Sequence, residues 1–215
     1  MPTDYLSLMR AAVRQDLHDE DSANYRWTDA VINRHIARAL AEMSKEIPVE
    51  KKTTLATAAG TRDVVATTLT SVVDIIKVEY PTLNYPPTYV QFTWWASTLT
   101  LILDSAPSAI ANVFVFWTQM HELDTDSTTV PAWAEHIVAT GAGAYAALDW
   151  ASYATNRVNL GGKEAQRYYQ EWGEKRLADF HALLRQYGTR GSLRATSLYT
   201  PYDPSESKLT DPGPV

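Results

Sequence analysis

Residues 90–103 have the sequence VQFTWWASTLTLIL, in which apolar and polar residues alternate. A period of two residues is typical of a strand that buries one face. The same alternation recurs at 76–80, and 113–117 is apolar on both faces, as expected of a central strand. Turn residues separate these runs. We therefore predict a β-rich segment of five or six strands from 49 to 129.

The sequence on either side of this segment has the periodicity of helices. Residues 3–17 place their apolar side chains on one stripe, and a second helix is predicted to begin after Thr28, a favourable N-cap residue. A third helix is predicted at about 131–158. A fourth is predicted to end at about Tyr187, because glycine at position 188 is typical of the residue just beyond a helix C-terminus.

These elements predict an α+β protein in which a four-helix bundle is interrupted, between its second and third helices, by a β-sandwich-like insert. The two helical pairs are expected at 1–48 and 130–188, and the insert at 49–129. An extended C-terminal arm is expected at 189–215.

Small residues crowd the middle of the third predicted helix. Glycine inside a helix costs about 1 kcal/mol relative to alanine. We therefore expect another backbone, from a neighbouring helix or a neighbouring subunit, to approach closely here. The candidate packing residues are Gly141, Gly143, Ala144 and Ala147.

The C-terminal arm contains four prolines and has no helical period. Large apolar and basic side chains are nevertheless spaced along it, and a purely solvated tail has little use for them. The pattern predicts an arm that becomes ordered against a partner. The candidate docking residues are Arg190, Leu193, Arg194, Leu198, Tyr199 and Tyr202.

Composition narrows the possible functions. The chain contains no cysteine, which excludes disulfides and thiolate chemistry. The start shows no signal-peptide pattern, and the apolar runs are shorter than the roughly 20 residues that span a bilayer, so we predict a soluble protein without membrane contact. The net charge is −6, with the acidic excess in the first 129 residues. Because cationic contacts to phosphate supply most affinity for nucleic acid, DNA-sequence recognition is not expected.

No catalytic or metal-binding pattern is visible. The five histidines lack zinc-helix spacing, and His35 and His136 are interpreted as ordinary residues of the helices. Residues 124–128 with Glu135 faintly resemble a calcium loop, but Thr129 occupies the position of the turn glycine. We interpret this stretch as a polar loop, with a metal bridging two subunits as the alternative. A pair of catalytic carboxylates, as in glycoside hydrolases, can come together only in the fold, so the sequence leaves that possibility open. We predict no enzymatic activity, no metal and no cofactor.

Trp94 and Trp95 are adjacent on a predicted strand. Successive side chains of a strand point to opposite faces, so one ring is expected to be buried and the other to point outward. The outward ring is a candidate exposed aromatic of the insert, suited to a sugar or a protein partner. The preferred alternative places it beneath a loop.

Three stretches together resemble the head-tail connector (adaptor) family of tailed bacteriophages. They are DLHDEDSANYRWTD at 16–29 continuing into ALAEMSKEIP at 39–48, TVPAWAEHIVATGAGAYAALDW at 129–150, and LRATSLYTPY at 193–202. They cover the helical parts and the arm, a little over half of the chain. The motifs are packing and capping patterns, and the insert departs from the short loop or hairpin of smaller connectors.

The resemblance implies a structural virion protein in the neck region, present in the host cytoplasm during assembly. Identical copies would form a ring, a dodecamer if it follows the portal symmetry of the family. Its partners would be the portal protein and a tail-side neck protein, and DNA would pass through its channel. The alternatives are another neck or tail-completion protein, and a carbohydrate- or receptor-binding module that uses the insert.

Overall fold

The computed structural model describes residues 4–154 and 165–192. In these residues the chain is α+β, with four helices and two antiparallel sheets. The helices are α1 (Tyr5–Leu17), α2 (Asp29–Glu46), α3 (Glu135–Ala154) and α4 (Ala165–Ser192), and a 3₁₀ turn at Ala132–Ala134 leads into α3. The strands are β1 (Val49–Ala56), β2 (Asp63–Val65), β3 (Val72–Glu79), β4 (Tyr89–Val90), β5 (Phe92–Trp95), β6 (Thr98–Leu101) and β7 (Asn112–Gln119).

The first two helices begin at side-chain caps. Asp4 precedes α1, and its Oδ1 accepts a hydrogen bond from the Ser7 backbone N–H at 2.8 Å. Thr28 precedes α2, as predicted, and its Oγ1 accepts from the Val31 N–H at 3.4 Å. Both the carboxylate and the hydroxyl satisfy N–H groups that have no partner inside the helix. Residues 1–3 lie outside the described part of the chain.

The predicted four-helix bundle is wrong. Helix α3 is the central element: α1, α2 and α4 all pack mainly against it, and α1 has only limited contact with α2. Every residue from 137 to 147 is buried, so α3 is covered on all sides rather than along one stripe. Its small residues permit this, because several helices can then approach one axis closely.

The predicted end of the last helix is also wrong. Helix α4 continues through Gly188 to Ser192. A Cβ atom at position 188 would lie 3.1 Å from the backbone oxygen of Glu46, at the end of α2. The glycine therefore serves a close approach of α4 to α2, and it does not stop the helix.

The two sheets have the strand orders β1-β7-β3-β4 and β2-β6-β5. Strand β7 lies between β1 and β3, which agrees with its apolar composition on both faces. Side chains of both sheets form one apolar core, distinct from the core of the helices; its buried members are Leu55, Val64, Ala66, Leu69, Ile75, Val78, Leu99, Leu101, Val113, Val115 and Trp117. The division of the chain into separate domains at the predicted boundaries stays a prediction.

His121 joins the two parts at the point where the chain returns to the helices. Its backbone N–H donates to Ser44 Oγ at 2.9 Å. Its ring Nε2 lies 2.9 Å from the Ile47 carbonyl oxygen, and Nδ1 lies 3.0 Å from the Thr129 carbonyl oxygen. Burial lowers the pKa of His121 below its ordinary value, against the opposing effect of these carbonyls. The entry into the β-rich part and the exit from it are therefore held by one side chain.

Candidate functional site

The β5–β6 hairpin presents one tryptophan to solvent. Trp95 is 83% exposed, whereas Trp94 packs against the core of the sheets. The alternation along β5 thus separates the two rings as the sequence indicates. The preferred alternative, that the outward ring lies beneath a loop, is wrong for Trp95.

Polar and apolar groups surround Trp95 on the outer face of the three-stranded sheet. Trp95 and Val65 both pair with Thr98, one from each side. Two residues further along the strands, on the same face, Asp63 pairs with Thr100, and Asp63 Oδ1 accepts a hydrogen bond from Thr100 Oγ1 at 2.6 Å. An exposed ring beside a carboxylate–hydroxyl pair offers both an apolar platform and hydrogen-bonding groups. Such a face suits a sugar ring or a side chain of another protein.

The turn that follows Trp95 is strained. Ala96 and Ser97 have φ values of 47° and 61°, which a two-residue type I′ turn requires and which asparagine and glycine adopt more readily. An alanine in this region costs about 1–2 kcal/mol. The sequence prediction missed this turn, because Ala-Ser carries no turn signal. The turn places Trp95 at the end of a tight hairpin, paired with Thr98.

The small residues of α3 pack within the chain. A Cβ atom at Gly141 would lie 2.8 Å from the ring of Phe180 on α4, and Ala144 and Ala147 are fully buried. A Cβ atom at Gly143 would lie 3.8 Å from the ring of Trp172 on α4, which is a looser contact. Of the two predicted neighbours, a helix of the same chain accounts for this patch.

The C-terminal docking residues fall largely beyond the described part of the chain. Arg190 lies in the last turn of α4, and its side chain is outside the description. The remaining candidates, Leu193, Arg194, Leu198, Tyr199 and Tyr202, lie outside the described residues. The arm therefore stays a prediction.

In residues 4–154 and 165–192, no group of three or more histidine and carboxylate side chains could hold a metal ion. His35 Nε2 lies 3.6 Å from Asp149, beyond hydrogen-bond distance, and burial lowers the pKa of His35. His136 is exposed and lines a different groove beside Met9.

The loop at 124–128, which faintly resembles a calcium loop, has a structural role. The carbonyl oxygens of Asp124 and Thr125 accept hydrogen bonds at 3.2 Å from the N–H groups of Leu6 and Tyr5 in the first turn of α1. The Asp124 N–H in turn donates to the Ser127 carbonyl oxygen at 2.9 Å. The loop thus closes the N-terminus of α1 with backbone oxygens, in agreement with its interpretation as a polar loop.

Two carboxylates at the end of α1, those of Asp16 and Asp19, pair with arginines of the same chain. Asp19 and Arg14 are both buried and form an ion pair at 2.6 Å. Asp19 also accepts from the Arg26 N–H at 2.7 Å, while Arg14 donates to Asp29 at 2.7 Å. Asp16 pairs with Arg176 of α4 at 2.9 Å. Sequence analysis did not identify this network, because its partners come together only in the fold.

A groove of about 490 Å³ lies where the helices meet the sheets, and no pattern in the sequence indicated it. Its walls come from the end of α2 with the start of β1, from β3, from the end of β7, from residues that precede α3, and from the last turns of α4. Trp133 and Tyr187 both line the groove, and their tilted rings lie in contact with centroids 5.0 Å apart. His121 lies at its edge.

No protein-family model matches the chain, and no similar sequence is found among curated proteins. In the described part of the chain, no helix is both long and apolar enough to cross a membrane.

Proposed function

We propose that the chain is a structural subunit of the neck of a tailed bacteriophage, a head-tail connector that forms a ring between portal and tail. The observation that supports this is the spread of exposed apolar side chains over both parts of the molecule. They include Leu8, Tyr25, Trp133, Tyr153 and Tyr168 in or near the helices, and Val65, Ile76, Leu83, Tyr85, Tyr89, Trp95, Ile102 and Ile110 in the β-rich part.

Single exposed apolar residues are normal on soluble proteins, but several large ones on different faces favour contacts in more than one direction. Tyr85 is 99% exposed and Trp95 is 83% exposed, although both rings would gain from burial. A ring subunit contacts two lateral neighbours and a partner above and below. It needs contact surfaces of this kind on several sides.

The charge of the chain supports passage of DNA rather than its capture. The net charge is −6, and a negative wall repels phosphate. In the proposed ring, copies of the chain line the channel, the portal and a tail-side neck protein are the axial partners, and DNA slides without sequence-specific contact. The ring is a dodecamer if it matches the portal of the family that the sequence resembles.

Native mass spectrometry of the purified chain, alone and mixed with the portal protein of the same phage, tests the proposal. We expect a ring alone or a ring templated on the portal, and the mass gives the copy number. A chain that stays monomeric and ignores the portal contradicts the connector function. Removal of residues 193–215 should abolish portal binding by a connector. If binding to the portal survives this truncation, the chain is better placed as a tail-completion protein.

The exposed face around Trp95 supports a second candidate, a carbohydrate-binding function of the β-rich part. Its test is binding of the full chain to a glycan array, before and after Trp95→Ala. The control is Tyr85→Ala, which removes another highly exposed ring at a different place. Glycan binding that is lost only with Trp95→Ala supports this candidate, and absence of binding to any glycan eliminates it.

A further inference from the structure

The groove between helices and sheets has apolar walls that are incompletely covered. Ile76 of β3 is 53% exposed and Trp133 is 49% exposed, and Val73, Pro48 and Pro131 are among the other apolar lining residues. Half-exposed large apolar side chains that line one concave surface would gain from an apolar occupant. The shape and chemistry of the groove therefore fit an extended peptide with large apolar side chains.

The described chain ends next to this groove. Tyr187 and Gly188 of α4 form part of the groove wall, and α4 ends four residues later, at Ser192. A helix rises 1.5 Å per residue, so the helix end lies about 6 Å beyond Gly188. Residues 193–215 continue from that point. Since an extended chain covers up to about 3.4 Å per residue, a turn near residue 193 leaves enough length for 198–202 to reach the groove.

The first half of the C-terminal arm matches the groove in chemistry. Residues 193–202 carry Leu198, Tyr199 and Tyr202 as apolar groups and Arg194 as a cation, and Arg190 precedes them in the last turn of α4. The groove presents the carboxylates of Glu46, Glu50 and Asp74 against one lysine, Lys45. The second half of the arm is acidic, with Asp203, Glu206 and Asp211, and does not match. The charge pattern thus selects the segment nearest to the helix end.

We propose that, in the isolated chain, residues 193–202 occupy the groove of their own molecule. Leu198 and Tyr199 cover Ile76 and Trp133, and Arg194 lies near the groove carboxylates. The tether keeps the local concentration of the arm high, so that modest contacts suffice to close the groove. The proposal goes beyond the connector function and does not depend on it, because it concerns one unassembled chain.

Cysteine accessibility tests whether the arm covers the groove, and the cysteine-free chain makes any introduced thiol unique. In an Ile76→Cys variant of the full chain, we expect slow reaction with a water-soluble maleimide. Addition of Leu198→Ser and Tyr199→Ser should raise the rate at least fivefold, because the cover is lost.

Two controls accompany this measurement. Lys208→Ser with Leu209→Ser changes the arm beyond the proposed segment and should leave the reaction rate of the thiol at position 76 unchanged. Val65→Cys, on the exposed face of β2, should react equally fast in all arm variants. If the rate at position 76 is the same with and without the arm substitutions, the proposal is wrong.

Disulfide formation then decides whose arm fills the groove. Ile76→Cys is combined with cysteine at position 193, 198, 199 or 202 in the full chain, and mild oxidation is followed by non-reducing electrophoresis. We expect a monomeric cross-linked product with a maximum at 198 or 199, and none when Val65→Cys replaces Ile76→Cys. Cross-links that form only between two chains, or equally at all positions, overturn the proposal.

Discussion

Two glycines on α3, two residues apart, are predicted to respond to the same substitution with opposite sign. Replacing a helix-interior glycine with alanine stabilises the helix by about 1 kcal/mol. At Gly143, the nearest atoms to a new Cβ are Trp172 at 3.8 Å and Asp16 at 3.9 Å, which is ordinary van der Waals contact. Gly143→Ala should therefore raise the free energy of unfolding by about 1 kcal/mol.

At Gly141 the new Cβ would lie 2.8–2.9 Å from three atoms of the Phe180 ring, which is fully buried. Overpacking of a well-packed core costs about 1–3 kcal/mol, and a rigid ring with three such contacts belongs in the upper half of that range. After subtraction of the gain of about 1 kcal/mol in helix propensity, Gly141→Ala should lower the free energy of unfolding by about 1–2 kcal/mol. The two variants should thus differ by roughly 2–3 kcal/mol.

Urea denaturation of the two variants, followed by far-ultraviolet circular dichroism, measures this difference. A second substitution, Phe180→Leu, removes ring atoms next to position 141, so Gly141→Ala should cost less in that background. Equal effects of the two glycine substitutions would refute the packing argument. A Gly141→Ala chain of normal stability that fails only in ring assembly would show that the patch contacts another subunit instead.

Three further predictions concern the buried ion pair, the strained turn and the buried histidine. Asp19→Asn leaves the buried Arg14 guanidinium without its nearest carboxylate, so it should lower the free energy of unfolding by about 3–5 kcal/mol in denaturant titrations. A loss below about 1 kcal/mol would mean that Asp29 compensates. Ala96→Asn with Ser97→Gly should raise the melting temperature, because both residues then adopt positive φ without strain; a lower melting temperature would contradict the turn assignment. The pKa of His121 lies below its ordinary value in the folded chain, so the unfolded state binds more protons at acidic pH. The contribution of His121 to the free energy of unfolding is therefore complete above about pH 6.5, and it should fall below that pH by at most about 1.4 kcal/mol per pH unit. His121→Asn should weaken this slope, and an unchanged slope would assign it to other groups.

The sequence predicts the type of each element well because the relevant signals are local. Alternation marked the strands around Trp94, and Thr28 marked the start of α2. The arrangement of the helices needed information that is not local. The run of small residues on α3 indicates close packing, but it does not reveal that three helices share it. Gly188 shows the same ambiguity, because glycine suits both a helix end and a close contact with Glu46.

The candidate surfaces show the same contrast between features that local sequence signals predict and features that only the fold creates. Strand periodicity was sufficient to predict that Trp94 and Trp95 point to opposite faces, since side-chain direction follows from the backbone. It did not predict that Trp95 is the exposed ring and that no loop in the described part of the chain covers it. The groove beside Trp133 could not be predicted from the sequence, because its walls come from five separate stretches of the chain. The Arg14–Asp19 pair was equally hidden. Its residues are five positions apart, but they meet only because the backbone turns at His18, which has a φ of 53°.

The imidazole of His121 has a consequence for how such a chain can change over evolutionary time. The carbonyl groups of Ile47 and Thr129 lie at the two edges of this one ring, so the ends of the excursion between α2 and the 3₁₀ turn are neighbours. A short turn can join neighbouring ends at little cost in loop entropy. The β-rich excursion between Ile47 and His121 can thus be lost, lengthened or exchanged while the helices and the segment from His121 to Thr129 stay in place. Selection on the outer surface of the molecule can then proceed separately from selection on its helical core.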